Sequence, residues 1–178
     1  LEALSMIYPV CIELGRDHYA HGVVIPDLPG CFSAADDWQD LPWMIQEAIE
    51  LWFEGEDLEP PEPTPLATLA KDPDFSYGVW LLFDSDAAIL SLFYPALIEQ
   101  DAETQQFMVE FVDIPRTYSA GDSYDEALLN AADALEMAIM SLMDRGEAVP
   151  LPSDLDGRPS IALSASMVEK LARYNVRR

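Results

Sequence analysis

Apolar residues along this chain switch from strand-like runs to helical spacing, and the whole switch then happens again. Met6 to Glu13, rich in Ile, Val and Tyr, predicts a first strand. Tyr19 to Pro26 predicts a second, returning as a hairpin through Gly15 to Asp17. Asp27-Leu28-Pro29-Gly30 ends it, because proline removes a ladder donor and Gly30 permits a tight turn. Phe32 to Ala35 follows as a short, edge-like strand. The period then lengthens. Met44, Ile45, Ala48, Ile49, Trp52 and Phe53 form the stripe of a helix near Asp37 to Phe53. Pro42 lies inside that span and is expected to kink the helix or delay its start. The Met and Trp stripe is read as core, not as a cofactor box.

A second copy of this pattern stands 86 residues on. Tyr8-Pro9 recurs as Tyr94-Pro95, Ile12-Glu13 as Ile98-Glu99, and Asp27-Leu28-Pro29 as Asp113-Ile114-Pro115. Ser33-Ala34 and Asp36 recur as Ser119-Ala120 and Asp122; Ala48 and Glu50 recur as Ala134 and Glu136. A series in constant register is a duplication, not chance. In the second copy Phe107 to Val112 is the returning strand, after a turn near Asp101 to Thr104. Ser123 with Glu126 makes a capping box for a helix whose apolar positions include Leu128, Leu129, Ala132, Leu135, Met137, Ile139 and Leu142.

Both helices lead into acidic, proline-punctuated segments, Glu56 to Pro65 and Glu147 to Pro152, which favour extended chain and carry it back to the sheet. A closing strand is expected at Ser76 to Phe83 and at Ser160 to Leu163, and a last helix at Ala165 to Asn175 with Met167, Val168, Leu171 and Tyr174 on one face. The expected fold is therefore α+β: two ββ(β)αβ modules, each a three- to four-stranded mainly antiparallel sheet with one helix, packed as a pseudo-dimer. The expected divisions are residues 6–89, 90–157 and a basic strand–helix tail at 158–178.

These motifs carry a resemblance. Tyr8-Pro9, Ile12-Glu13, Pro26 to Ala34, Glu47 to Glu50 and Phe75 to Asp84 resemble the HicB antitoxins. The second copy, through Tyr94-Pro95, Phe111 to Pro115, Ser119 to Asp122, Glu126-Ala127 and Pro150 to Ser153, is similar to another branch of that family. Ile161 to Asn175 resembles the linker and first helix of the DNA-binding segment found in that branch. The resemblance implies a partial ribonuclease-H-like fold without established nuclease function. It also implies a partner: HicA, a small basic toxin that cleaves mRNA with a histidine and whose active site the antitoxin covers. The chain departs from the family in carrying two domains and in placing Arg116-Thr117 where the first copy has Gly30-Cys31, so the two loops are not expected to bind the same surface. It also stops at Arg178 before a helix-turn-helix could be completed; DNA is not an expected partner of the chain as given.

Composition sharpens this. The net charge is -24. Residues 1–89 hold 18 acids against Arg16 and Lys71, residues 90–157 hold 14 against Arg116 and Arg145, and only residues 158–178 are net basic. Such a surface repels free nucleic acid. From charge alone, solubility and steering of a basic partner stand as equal readings. No apolar run is long enough to span a membrane. Leu1 to Met6 lacks the features of a signal peptide, so a cytoplasmic location with Cys11 and Cys31 reduced is expected, and Met6 reads as a natural start.

Catalytic chemistry finds little support. Glu13, Asp27, Glu99 and Asp113 are the acids that recur on strands or strand ends, but Asp27 and Asp113 precede Leu/Ile-Pro, where aspartate caps turns. His18 and His21, three apart, read as a surface pair without counterparts in the second copy. No phosphate-binding glycine loop, metal set or activated nucleophile stands out, so no enzyme activity, metal or cofactor is expected. The expected function is neutralisation of a basic HicA-like toxin; the alternative is an interaction or dimerisation module that has kept the fold without a toxin, and self-association is left open. The expected contact residues are Asp27, Leu28, Pro29, Gly30 and Phe32 in the recurring loop, with Asp36, Asp37, Glu54 and Glu56 at the acidic helix ends.

Overall fold

The computed structural model describes residues 6–54 and 58–178. The five residues before Met6, and Glu56 among the expected contacts, lie outside the described residues. The chain divides into two compact units, Leu1–Ser91 with Val168–Arg178, and Leu92–Met167.

In the first unit five antiparallel strands lie in the order β3-β2-β1-β4-β5: β1 Ile7–Glu13, β2 His21–Val24, β3 Phe32–Ala35, β4 Val79–Asp84 and β5 Ile89–Ser91. Central position explains composition. β1 is hydrogen-bonded on both sides, to β2 and β4, and buries Tyr8, Val10, Cys11 and Ile12 in succession. β5 exceeds the three to four strands expected; its three residues are too few to carry a readable period. Helix α1, Leu41–Phe53, turns Leu41, Ile45 and Ile49 inward at i, i+4 spacing. Pro42 does not kink it. It sits in the first turn, where a missing N–H costs nothing, after a 3₁₀ turn at Trp38–Asp40. A single helical turn, α2 at Leu66–Leu69, follows the proline segment.

The second unit orders its antiparallel strands β8-β7-β6-β9, with β6 Phe93–Gln100, β7 Phe107–Phe111, β8 Tyr118–Gly121 and β9 Ser160–Ala162. Helix α3, Tyr124–Asp144, buries Ala127, Ala131 and Leu135, the positions equivalent to the inward row of α1, and extends the row by one turn to Ile139. Leu129 and Met137, which the apolar pattern assigned to the same coverage, are exposed instead. The cap forms as expected: Ser123 Oγ accepts from the Glu126 N–H at 3.1 Å, while the Glu126 carboxylate reaches back to the N–H of Asp122 at 2.9 Å. Helix α4, Ala165–Val176, buries Val168, Leu171 and Ala172, and from Val168 onward it belongs to the first unit.

Candidate protein-binding site

The recurring loop joins β2 to β3. Leu28 N–H donates to Ile25 O at 3.0 Å and Cys31 N–H to Leu28 O at 2.9 Å, closing a tight turn around Pro29 and Gly30. Gly30 takes φ +80, a left-handed conformation glycine adopts without strain, and open space surrounds the place of its absent Cβ. Its counterpart Arg116 also takes a left-handed φ, 60, although the two loop sequences differ. The difference lies at the surface: copy two offers a guanidinium where copy one offers bare backbone.

Asp27 does not cap this turn. Its Oδ2 accepts the backbone N–H of Thr64 at 2.9 Å, and its Oδ1 accepts the Thr64 hydroxyl. Tyr8 Oη donates to the Pro61 carbonyl at 3.0 Å, so the proline segment is held at two points. Copy two repeats the clamp. Asp113 takes the N–H of Ser153 at 2.8 Å and the Ser153 hydroxyl, and Tyr94 Oη donates to Pro150 O at 3.0 Å. The Tyr-to-Pro separation is 53 residues in one copy and 56 in the other, so the clamp has survived a change in the length of the intervening chain. Burial first, and the nearby aspartate second, push both phenols above the ordinary tyrosine range, which keeps them protonated donors. The recurrence of Tyr and Asp at constant offset thus has a structural cause: each returns a proline segment to its sheet. In copy one alone Trp52 Nε1 adds a bond to Pro29 O at 3.0 Å, tying the end of α1 to the loop.

The expected contact residues separate accordingly. Leu28 is 0% exposed and is core, not contact surface. Asp27 spends its carboxylate on Thr64. Pro29, Gly30, Phe32, Asp36, Asp37 and Glu54 are exposed, and Asp36 and Asp37 line a shallow groove with Trp43 and Met44 at the start of α1. Pattern reading missed Trp43 and Leu51, which are exposed on the same helix flank. Their signal was available, since both fall outside the i, i+4 row of Leu41, Ile45 and Ile49.

The histidines are not a surface pair. His18 is exposed, but His21 is 6% exposed: its Nδ1 accepts the Gly15 N–H at 3.0 Å and its ring meets Trp38 edge-on. Burial, reinforced by the Arg173 guanidinium and opposed by Glu169 and Asp37, holds His21 below the ordinary histidine range. The unfolded chain therefore binds this proton more readily than the folded one. The resulting stability is complete above about pH 6.5 and is lost as pH falls toward the folded value. Urea midpoints taken from about pH 7.5 down to about 5.5 should fall more steeply for the native chain than for His21→Gln; equal slopes would remove His21 as the cause.

Cys11 and Cys31 are buried and unbridged, and burial pushes the Cys11 thiol up to about 11, so it is not a reactive thiolate. Among the described residues no group of three or more His, Cys, Asp and Glu side chains could hold a metal ion, and no helix is long and apolar enough to cross a membrane.

Comparison with known proteins agrees with the duplicated frame. Two models of one family, described as HicB-like antitoxin of bacterial toxin–antitoxin systems, match in tandem, at residues 8–92 and 93–172. Antitoxin HicB of Escherichia coli K12 is 36% identical over 70 residues, covering 39% of this chain and 51% of that protein. Antitoxin HicB 1 of Photorhabdus laumondii is 32% identical over 87 residues, covering 49% and 55%. A 14.9 kDa protein from the rep-hol intergenic region of Haemophilus phage HP1 is 36% identical over 84 residues, covering 46% and 62%. The matched stretches thus span about half to three-fifths of these relatives. The crystal structure of Burkholderia pseudomallei antitoxin HicB is 30% identical with a TM-score of 0.37, over 43% of this chain and 61% of that one. With both halves matched in order, the chain belongs to the HicB-like antitoxins of bacterial toxin–antitoxin systems and carries two domains of that family in tandem.

Proposed function

We propose that the chain neutralises a small basic toxin of the HicA-like kind, binding it through its acidic surface and covering its RNA-cleaving site without catalysis of its own. The observation that carries this reading is the tandem match to an antitoxin family on a chain of net charge -24. An acidic surface speeds encounter with a basic partner and rejects free RNA, the toxin's own substrate. Asp36, Asp37 and Glu54, exposed around the start and end of α1, supply charge on the copy-one face.

The test is co-expression with a small basic HicA-like toxin, sought first in the frames flanking this gene. Growth should be rescued, and the two chains should co-elute on sizing at moderate salt. Reversing Asp36, Asp37 and Glu54 to lysine together should slow association by about tenfold or more and flatten its dependence on salt. No rescue and no complex would leave instead a scaffold that has kept the fold without a toxin.

A further inference from the structure

β3 and β8 are edge strands of their sheets, and each lies beside an exposed apolar stripe of its helix. The stripes match: Trp43-Glu47-Leu51 in α1 and Leu129-Asp133-Met137 in α3 stand at the same i, i+4, i+8 spacing with an acid in the middle. Phe32 on β3 and Tyr118 on β8 complete the likeness, and the six aromatic or aliphatic side chains are each between 59% and 71% exposed. Large side chains exposed at equivalent places in both copies are not explained by either core.

The edges themselves differ. Ile25 bonds Cys31 O, in register with the pairs Val23–Ser33 and His21–Ala35, so residues 31, 33 and 35 direct their backbone groups toward β2. Antiparallel alternation then turns the N–H and C=O of Phe32 and Ala34 outward, to the open edge. In copy two the corresponding outward carbonyl, Ala120 O, is taken by the side chain of Asn130 at 2.9 Å. The residue equivalent to Asn130 in copy one is Met44, which has no amide to give. Copy two thus has one outward edge carbonyl taken by a side chain; the equivalent carbonyl of copy one, Ala34 O, has no such amide beside it and stands above a groove lined by Phe32, Ala34, Met44, Leu51 and Trp52.

We infer that the β3 edge of copy one receives an extended strand of the basic partner, which adds to the sheet by main-chain hydrogen bonds and sets alternate apolar side chains against the α1 stripe. This rests on the antitoxin reading above and assigns its surface. Charge selects the occupant. Residues 17–70 contain no Lys or Arg, and Asp36, Asp40 and Glu47 border the groove. A second copy of this chain would bring acids against acids, whereas a strand alternating basic and apolar residues fits both features.

The test uses the full chain and two probes: a short amidated peptide alternating lysine with isoleucine, and a peptide of the same charge interrupted by proline. The alternating peptide should bind and protect the Phe32 and Ala34 amides from hydrogen exchange, and the interrupted one should not. Ala34→Pro removes an outward donor without touching the β2 ladder and should abolish binding. Met44→Asn, which copies the Asn130 amide of the second domain, should weaken binding by at least tenfold, while Leu129→Asp should leave it unchanged. Circular dichroism and melting temperature identify a variant that has simply unfolded, and Met44→Asn then decides. Equal binding of the two peptides, or full binding by both edge variants, would overturn the inference in favour of charge alone. A native chain that dimerises, with both variants monomeric, would overturn it in favour of a second copy. In cells the two readings part: if the native chain and both edge variants rescue growth alike, the docking mode fails and the antitoxin reading stands; if the native chain does not rescue, the antitoxin reading fails, and the peptide result still decides the edge.

Discussion

Replacing Gly121 with alanine is expected to be the most damaging single-methyl change in the second unit, lowering stability by about 3 kcal/mol, at the upper end of the ordinary cost of overpacking. An alanine Cβ at this position would stand 2.4 Å from the backbone nitrogen of Ala127 and 2.8 Å from its Cα. These are backbone atoms in the first turn of α3, so no side chain can rotate away; either β8 or the helix start must move. The first copy shows the alternative. The residue equivalent to Gly121 is Ala35, and there the helix proper begins only at Leu41, after a 3₁₀ turn. In copy two the helix starts at Tyr124, three residues after the strand ends, and the approach is correspondingly close. Chemical denaturation of Gly121→Ala checks this. A change in midpoint free energy below about 0.5 kcal/mol, the range of a neutral surface substitution, would show that the contact is not limiting.

The second expectation concerns the repeated clamp. Asp27→Ala should cost about 2–4 kcal/mol, because it removes two charge-assisted hydrogen bonds from a partly buried backbone N–H and hydroxyl; Asp113→Ala should cost less, about 1 kcal/mol, because Ser153 is exposed and water can replace the carboxylate. Asp27→Asn should cost less, since the threonine hydroxyl can reverse and accept from the amide. Tyr8→Phe should add about 1 kcal/mol by releasing the Pro61 carbonyl. The same variants separate scaffold from contact surface. Asp27→Ala should lower the unfolding midpoint, whereas Asp36→Asn, exposed and without such partners, should leave the midpoint unchanged and act on partner association. The opposite assignment, stability unchanged in Asp27→Ala and partner binding lost, would return Asp27 to the binding surface.

Much of this architecture was legible along the chain because it depends on local periodicity. The first three strands, both long helices, the delay imposed by Pro42 and the Ser123 cap follow from residue spacing and backbone chemistry within a few positions. The constant offset of Tyr, Asp and Pro made the duplication readable without any structure. Residue type alone misled where burial is decided by neighbours distant in sequence. His21 looks polar yet is covered by Trp38 and flanked by Glu169 and Arg173 from the far end of the chain. Leu28 reads as loop and is core, and Leu129 and Met137 read as core and are exposed.

The sequence by itself thus determined the duplicated frame, its main strands and helices and the net charge of -24, since these are properties of spacing and composition. Only the tertiary structure decided what Asp27 and Asp113 are for, because their hydrogen-bond partners lie 37 and 40 residues away, at distances no local pattern can report. Only the structure showed that one edge carbonyl is capped in copy two and that its equivalent in copy one has no such cap. That distinction rests on one amide reaching one carbonyl, Asn130 to Ala120, and on a methionine standing in its place in the other copy.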